Sequence, residues 1–136
     1  MVVSDAFAAF IETTYDETLT LLVDTRDLLD GMPRSKVANP PQPLGHAQTM
    51  SAISQLTWQM TEIMSWLLLQ KAIFVGELTL EEATKNASFN LPDFKDHEKR
   101  HDSPDVDLPV AVRGLIDRGR RIVDRATSLR GSLDNA

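Results

Sequence analysis

The chain has 136 residues, a formal net charge of −6 at pH 7 and no cysteine. We expect a single domain over residues 1–136, because a chain of this length can bury one core of ordinary size. The lack of cysteine excludes disulfides, thiolate nucleophiles and thiolate-bound zinc, and it fits a reducing cytoplasm. The apolar stretch from Ile63 to Gln70 is far too short to span a membrane.

The first predicted helix covers about residues 5–30. Its apolar residues recur at intervals of three and four, the spacing of a helix face: Phe7, Phe10, Ile11, Tyr15, Leu19, Leu22 and Leu29. The side chain of Ser4 or Asp5 can accept a hydrogen bond from a free amide of the first turn. Gly31 favours a helix end, and the prolines within residues 32–43 predict a loop.

The second predicted helix, about residues 46–75, should be the longest element. One stripe of apolar residues has the three-and-four spacing of a helical-bundle seam: Ile53, Leu56, Met60, Ile63, Leu67 and Phe74. Gly76 directly after this stretch is a suitable C-terminal stop.

The same helix carries apolar residues outside this seam, so it is apolar nearly all round and must be buried on more than one side. They are Trp58, Trp66, Leu68, Leu69 and Ile73. For Trp66 and Ile73, a wide intramolecular core and an interface are both open interpretations. For Trp58 and Leu69, opposite the seam, we favour an interface, and with Leu68 they form a predicted partner-binding face.

A short helix at about residues 80–86 is predicted from Thr79 and Glu82, which have the spacing of a capping box. Residues 87–107 then lose helical periodicity and contain two prolines and nine charged residues. We interpret them as a mobile connector. Its stretch from Asp93 to Asp107 is a second candidate partner contact, able to become ordered on binding.

The third long helix is predicted over about residues 109–130, beginning at Pro109 and ending before Gly131. Its seam again follows steps of three and four: Leu108, Val112, Leu115, Gly119, Ile122, Ala126 and Leu129. The small residues Gly119 and Ala126 allow a neighbouring helix to approach closely. The three helices together predict an all-α fold, an antiparallel three-helix bundle with one short extra helix.

Charge is distributed unevenly along the chain. Residues 5–30 contain seven acidic residues and one basic residue, whereas residues 108–136 contain six arginines and three aspartates. One interpretation of the arginines is a nucleic-acid patch formed by Arg118, Arg120, Arg121 and Arg125. We favour the other, a helix face that complements the acidic first helix, because the overall charge and the interspersed aspartates oppose a phosphate backbone.

One literal catalytic motif is present, since His97, Glu98 and His101 spell the H-E-x-x-H signature of zinc hydrolases. On a helix, the two histidines would share one face and could bind one metal ion, with the glutamate as general base. Charged residues surround the motif, and no downstream histidine offers a third ligand. We favour a solvated histidine pair and predict no catalytic residue, no metal site and no cofactor.

The stretch Met60 to Leu78 resembles the central helix of the RcdA-type family, the alphaproteobacterial regulators of CtrA degradation. Its block Ser65-Trp66-Leu67-Leu68-Leu69-Gln70-Lys71-Ala72 carries the resemblance. The acidic first helix, the Pro-rich loop, Thr79-Leu80-Glu81-Glu82-Ala83 and the opening of the third helix extend it over most of the chain.

The resemblance implies a commonly dimeric three-helix bundle that acts as a non-enzymatic adaptor in cell-cycle-controlled proteolysis. The implied partners are a ClpXP-type protease, a response-regulator-like adaptor, a response-regulator substrate and a cyclic-di-GMP effector protein. It implies a cytoplasmic protein that can gather at the cell pole and binds neither nucleic acid nor membrane. The alternative is a structural dimerisation module unrelated to proteolysis.

Overall fold

The computed structural model describes residues 5–32, 43–94 and 108–134. Three long helices and one short one lie in these ranges: α1 (Asp5–Gly31), α2 (Pro43–Phe74), α3 (Leu80–Thr84) and α4 (Val110–Asp134). A 3-10 turn, Ala87–Phe89, lies between α3 and α4. The described ranges contain no β-strand, and the predicted all-α bundle is confirmed. No helix in these ranges is both long and apolar enough to cross a membrane.

Ion pairs and core contacts define the directions of the long helices. Arg118 and Arg125 of α4 pair with Asp24 and Glu17 of α1, respectively, so α1 and α4 are antiparallel. Lys71 near the end of α2 pairs with Glu12 near the start of α1, whereas Leu21 lies near Leu56 and Met60 around Gly119. Because α1 is antiparallel to both other long helices, α2 and α4 run in the same direction.

The core forms where the three long helices meet. The predicted seam of α2 is buried from Ile53 to Leu67, with Met60, Ile63 and Leu67 fully inaccessible. The predicted seam of α4 is also buried from Val112 to Leu129, whereas Leu108 lies before the helix and is partly buried. Gly119 lets α4 approach α2, because a Cβ there would collide with Leu56 Cδ1. Phe74 departs from the prediction and is 40% exposed at the end of α2.

The buried side of α1 is partly made of threonines, which the apolar pattern did not identify. Thr14, Thr18 and Thr25 are buried together with Ile11 and Leu21. The hydroxyls of Thr18 and Thr25 donate to the backbone carbonyls four residues earlier, each at 2.7 Å. These hydroxyls are satisfied inside the helix, so the methyl groups can pack in the core. Phe10 and Leu19 were assigned to the seam but are 50% and 42% exposed.

Residues 79–94, which we call the covering segment, pack against the side of α2 away from α1. The predicted capping box is confirmed, with Thr79 and Glu82 exchanging hydrogen bonds at the start of α3. Leu91 and Phe94 are 6% and 3% exposed, and Arg130 of α4 donates to the Leu91 carbonyl at 3.1 Å. The prediction of a connector starting at residue 87 is therefore wrong for residues 87–94, because two apolar side chains anchor them.

Several predicted features lie outside the described residues. They are most of the Pro-rich loop, the connector from residue 95 to 107, the His97, Glu98 and His101 motif, and Asp107.

Candidate protein-binding surface

The covering segment occupies much of the face that was predicted to bind a partner. Leu69 is 7% exposed, so the prediction that it faces another molecule is wrong. Trp58 is partly buried and meets the Phe94 ring edge-on, with ring centroids 5.7 Å apart. Trp66 is 1% exposed, which resolves its two interpretations in favour of the intramolecular core. The chain itself thus covers the aromatic side of α2.

Another side of α2 is left uncovered, where α2 lies beside α1. Lys71 pairs with Glu12 at 2.6 Å, which places these two residues at the boundary between the helices. Leu68 and Val75 flank Lys71 at three and four residues, and they are 49% and 54% exposed. Residues at these separations share one helix face.

The matching side of α1 also carries exposed apolar residues. Leu19 and Val23 follow Glu12 by seven and eleven residues, about two and three helical turns, and are 42% and 36% exposed. They therefore lie on the same side of α1 as the ion pair with Lys71. We call this surface the outer face: Glu12, Leu19 and Val23 of α1 with Leu68, Lys71 and Val75 of α2.

α4 cannot cover the outer face because it packs on the opposite flank of α1. Arg118 pairs with Asp24 at 2.8 Å, and Arg125 pairs with Glu17. Glu17 and Asp24 follow Glu12 by five and twelve residues, which places them well round the helix from it. The outer face is thus a surface between two helices that α4 leaves open.

Electrostatics strengthen the boundary between α1 and α2. The hydrogen bond to the Glu12 carboxylate, together with its negative charge, raises the pKa of Lys71 above the usual 10.5. Tyr15 and Asp16 raise it further, whereas desolvation lowers it. The charged form of Lys71, which is the form that pairs with Glu12, is therefore favoured.

Three arginines of α4, Arg118, Arg121 and Arg125, lie where the favoured interpretation placed them, against the acidic first helix. Besides the two ion pairs, Arg121 lines a cavity of about 490 Å³ between α1 and α4. Its Nε donates to the Asp117 carbonyl of its own helix at 3.4 Å. Arg120 is exposed.

The remaining predicted contact residues are distributed along the chain. Asp93 is exposed on the covering segment, and Leu68 is the one predicted apolar contact residue that the structure leaves largely exposed. Sequence reasoning missed Leu19, Val23 and Val75. The acidic stripe beside Leu19 and Val23 was the available signal that this side of α1 faces solvent.

Within residues 5–32, 43–94 and 108–134, no group of three or more His, Asp or Glu side chains is placed to hold a metal ion. The described arrangement instead offers an apolar surface bordered by charge. Such a surface can bind another polypeptide.

Comparison with known proteins gives one family and no annotated relative. No curated protein and no solved structure matches the chain. The model of one protein family, described as a protein of unknown function, DUF1465, matches residues 3–135. The chain therefore belongs to the DUF1465 family.

Proposed function

We propose that this protein is a non-enzymatic adaptor that binds other proteins through the outer face. In this proposal it acts in cell-cycle-controlled proteolysis, and its partners are a ClpXP-type protease and a response-regulator substrate. A response-regulator-like adaptor and a cyclic-di-GMP effector protein complete the assembly.

One observation carries the protein-binding part of this proposal. Leu19, Leu68 and Val75 are each more than 40% exposed on the outer face, whereas Trp66 and Leu69 on the other flank of α2 are buried. Neighbouring exposed apolar side chains on a rigid scaffold are typical of protein interfaces, whereas isolated ones are ordinary on any surface.

The proteolytic part rests on the resemblance of the Ser65 to Ala72 block and its flanking features to the RcdA-type family. An adaptor needs a rigid body with exposed contacts and no catalytic chemistry. The bundle provides such a body, and the exposed Asp93 gives a second candidate contact on the covering segment.

A reconstituted degradation assay tests the proposal. The response-regulator substrate, the protease and its accessory proteins are combined with and without this protein, and substrate loss is followed over time. We expect faster degradation with the wild-type protein and loss of this stimulation with Leu68→Asp and Val75→Asp together. These positions are exposed, so helicity measured by circular dichroism should be retained.

Val110→Asp is the matched control, because Val110 is 78% exposed at the start of α4, away from the outer face. It should stimulate degradation as the wild type does. Unchanged degradation in the presence of the wild-type protein would refute the proteolytic role.

The homodimer implied by the family resemblance also remains a prediction, and a structural dimerisation module is the second candidate function. Light scattering measures it directly. A stable dimer that leaves substrate degradation unchanged would favour the dimerisation module over the adaptor.

A further inference from the structure

The outer face combines one stripe of residues on α1 with one stripe on α2. Along α2, residues of this side follow steps of three and four: Thr57, Thr61, Met64, Leu68, Lys71 and Val75. Along α1, the same spacing runs through Glu12, Asp16, Leu19, Val23, Arg26 and Asp30. Two such stripes on neighbouring antiparallel helices form the type of groove into which a further helix packs.

Small hydroxyl residues line the α2 side of the groove, and their hydrogen bonds are already made. Thr57 and Thr61 each donate to a carbonyl four residues earlier in α2, at 2.9 and 2.8 Å, respectively. A helix that packs here buries small side chains whose donors are satisfied within α2. Close approach therefore leaves no hydroxyl donor of this row unpaired.

The α1 side of the groove is acidic. Arg26 pairs with the neighbouring Asp27, and Lys71 pairs with Glu12. Asp30 adds further negative charge to the same edge, and Asp16 lies between this edge and the cavity beside α4; both are exposed. A partner lying over α1 would therefore be favoured by positive charge on that side.

The same charges disfavour a second copy of this chain as the occupant. A two-fold arrangement of outer faces would bring two acidic α1 edges into one interface, which repels. The arginine-rich helix of the chain is α4, and two of its arginines already pair with α1 inside the bundle.

We propose that the outer face binds an amphipathic helix of a partner protein, with apolar residues over Leu19 and Leu68 and lysines or arginines along the edge above α1. This inference rests on the proposed protein-binding function and adds the structure and charge of the bound segment.

Two synthetic helical peptides of about five turns test the inference. Both repeat leucine at helix-face spacing, with lysine at the polar positions of one and glutamate in the other. Fluorescence anisotropy with the full chain should show at least about tenfold tighter binding of the leucine–lysine peptide. Leu19→Ser with Leu68→Ser should weaken that binding by at least about tenfold.

The matched control is Leu80→Ser with Val110→Ser, which removes two similarly exposed leucine or valine side chains elsewhere without changing charge. It should bind the leucine–lysine peptide as the wild type does. Two further variants test whether binding depends on the charge of the outer face or on the net charge of the protein, since each removes two negative charges. Asp16→Asn with Asp30→Asn should weaken binding of the leucine–lysine peptide. Asp117→Asn with Asp124→Asn on α4 should not. Circular dichroism checks that all four variants keep their helicity.

Equal peptide binding by the two serine variants, or equal affinity for the two peptides, would overturn the inference. A dimer that dissociates when Leu19 and Leu68 become serine would also overturn it, because the occupant would then be a second copy. Binding that follows the expected pattern in a protein inactive in the degradation assay would retain the inference and reject the proteolytic role.

Discussion

α2 has two apolar flanks outside the seam, and the molecule uses them differently. On one flank Trp66 and Leu69 are buried, and Trp58 packs against Phe94 of the covering segment. The other flank, with Leu68 and Val75, adjoins α1 and stays about half exposed. The comparison shows that apolar character all round a helix does not identify the surface left for a partner, because the connecting chain can cover one side.

The largest expected effect comes from the covered flank. Trp66 is 1% exposed in the core cluster, so Trp66→Ala should lower the free energy of unfolding by about 3–5 kcal/mol through lost burial and the cavity left behind. Urea denaturation followed by circular dichroism measures it. A loss below about 1 kcal/mol would mean that this flank is not packed as described.

Detaching the covering segment should have the next largest effect. Phe94 is 3% exposed and packs on Trp58, so Phe94→Ala should cost about 3 kcal/mol and expose the indole to water. A red-shifted tryptophan emission at full helicity would show the segment released from α2. Unchanged emission and stability would contradict the contact.

A third prediction concerns the side of α2 that faces α4. Gly119→Ala must displace Leu56, whereas a Cβ at Gly114 has nothing within 4 Å. Both changes favour the helix by about 1 kcal/mol, but the crowding at Gly119 should cost about 1–3 kcal/mol. The melting temperature of Gly119→Ala should therefore be lower than that of Gly114→Ala. The reverse order would show that Leu56 moves aside freely.

Substitutions on the uncovered flank should have little effect on the free energy of unfolding. Leu68 is 49% exposed, so Leu68→Ser should alter the free energy of unfolding by less than about 1 kcal/mol. The adjacent Leu67, which is fully buried, gives the contrast, since Leu67→Ser should be severely destabilising. Similar losses of unfolding free energy for Leu68→Ser and Leu67→Ser in urea denaturation would contradict the exposed position of Leu68.

The smallest expected effect is a pH dependence at the edge of the outer face. The raised pKa of Lys71 means that its ion pair with Glu12 stabilises the folded state at pH values below 10.5. This contribution should be lost as the pH rises through the higher pKa of the folded state. Lys71→Met should remove this pH dependence. The free energies of unfolding of the wild type and the variant should therefore converge above that pKa. Parallel curves of unfolding free energy against pH would contradict the contribution of Lys71.

The sequence predicted the helical bundle well because the seams of α2 and α4 consist of apolar residues at one regular spacing. It could not identify Thr18 and Thr25 of α1 as buried, because their hydroxyls become compatible with a core only through hydrogen bonds within the helix. It also could not show that Phe94 packs on Trp58. That pairing depends on the path of the chain between α3 and α4, which local periodicity does not encode.

The two ion pairs between α1 and α4 help to set the register of these two helices. A slide of α4 by two turns would bring Ala126 or Val112 to the place of Gly119, where a Cβ collides with Leu56 Cδ1, so packing already disfavours it. Glu17 and Asp24 are seven residues apart, as are Arg118 and Arg125. A two-turn slip keeps at most one of the pairs, so charges worth little in stability can still reinforce a single register.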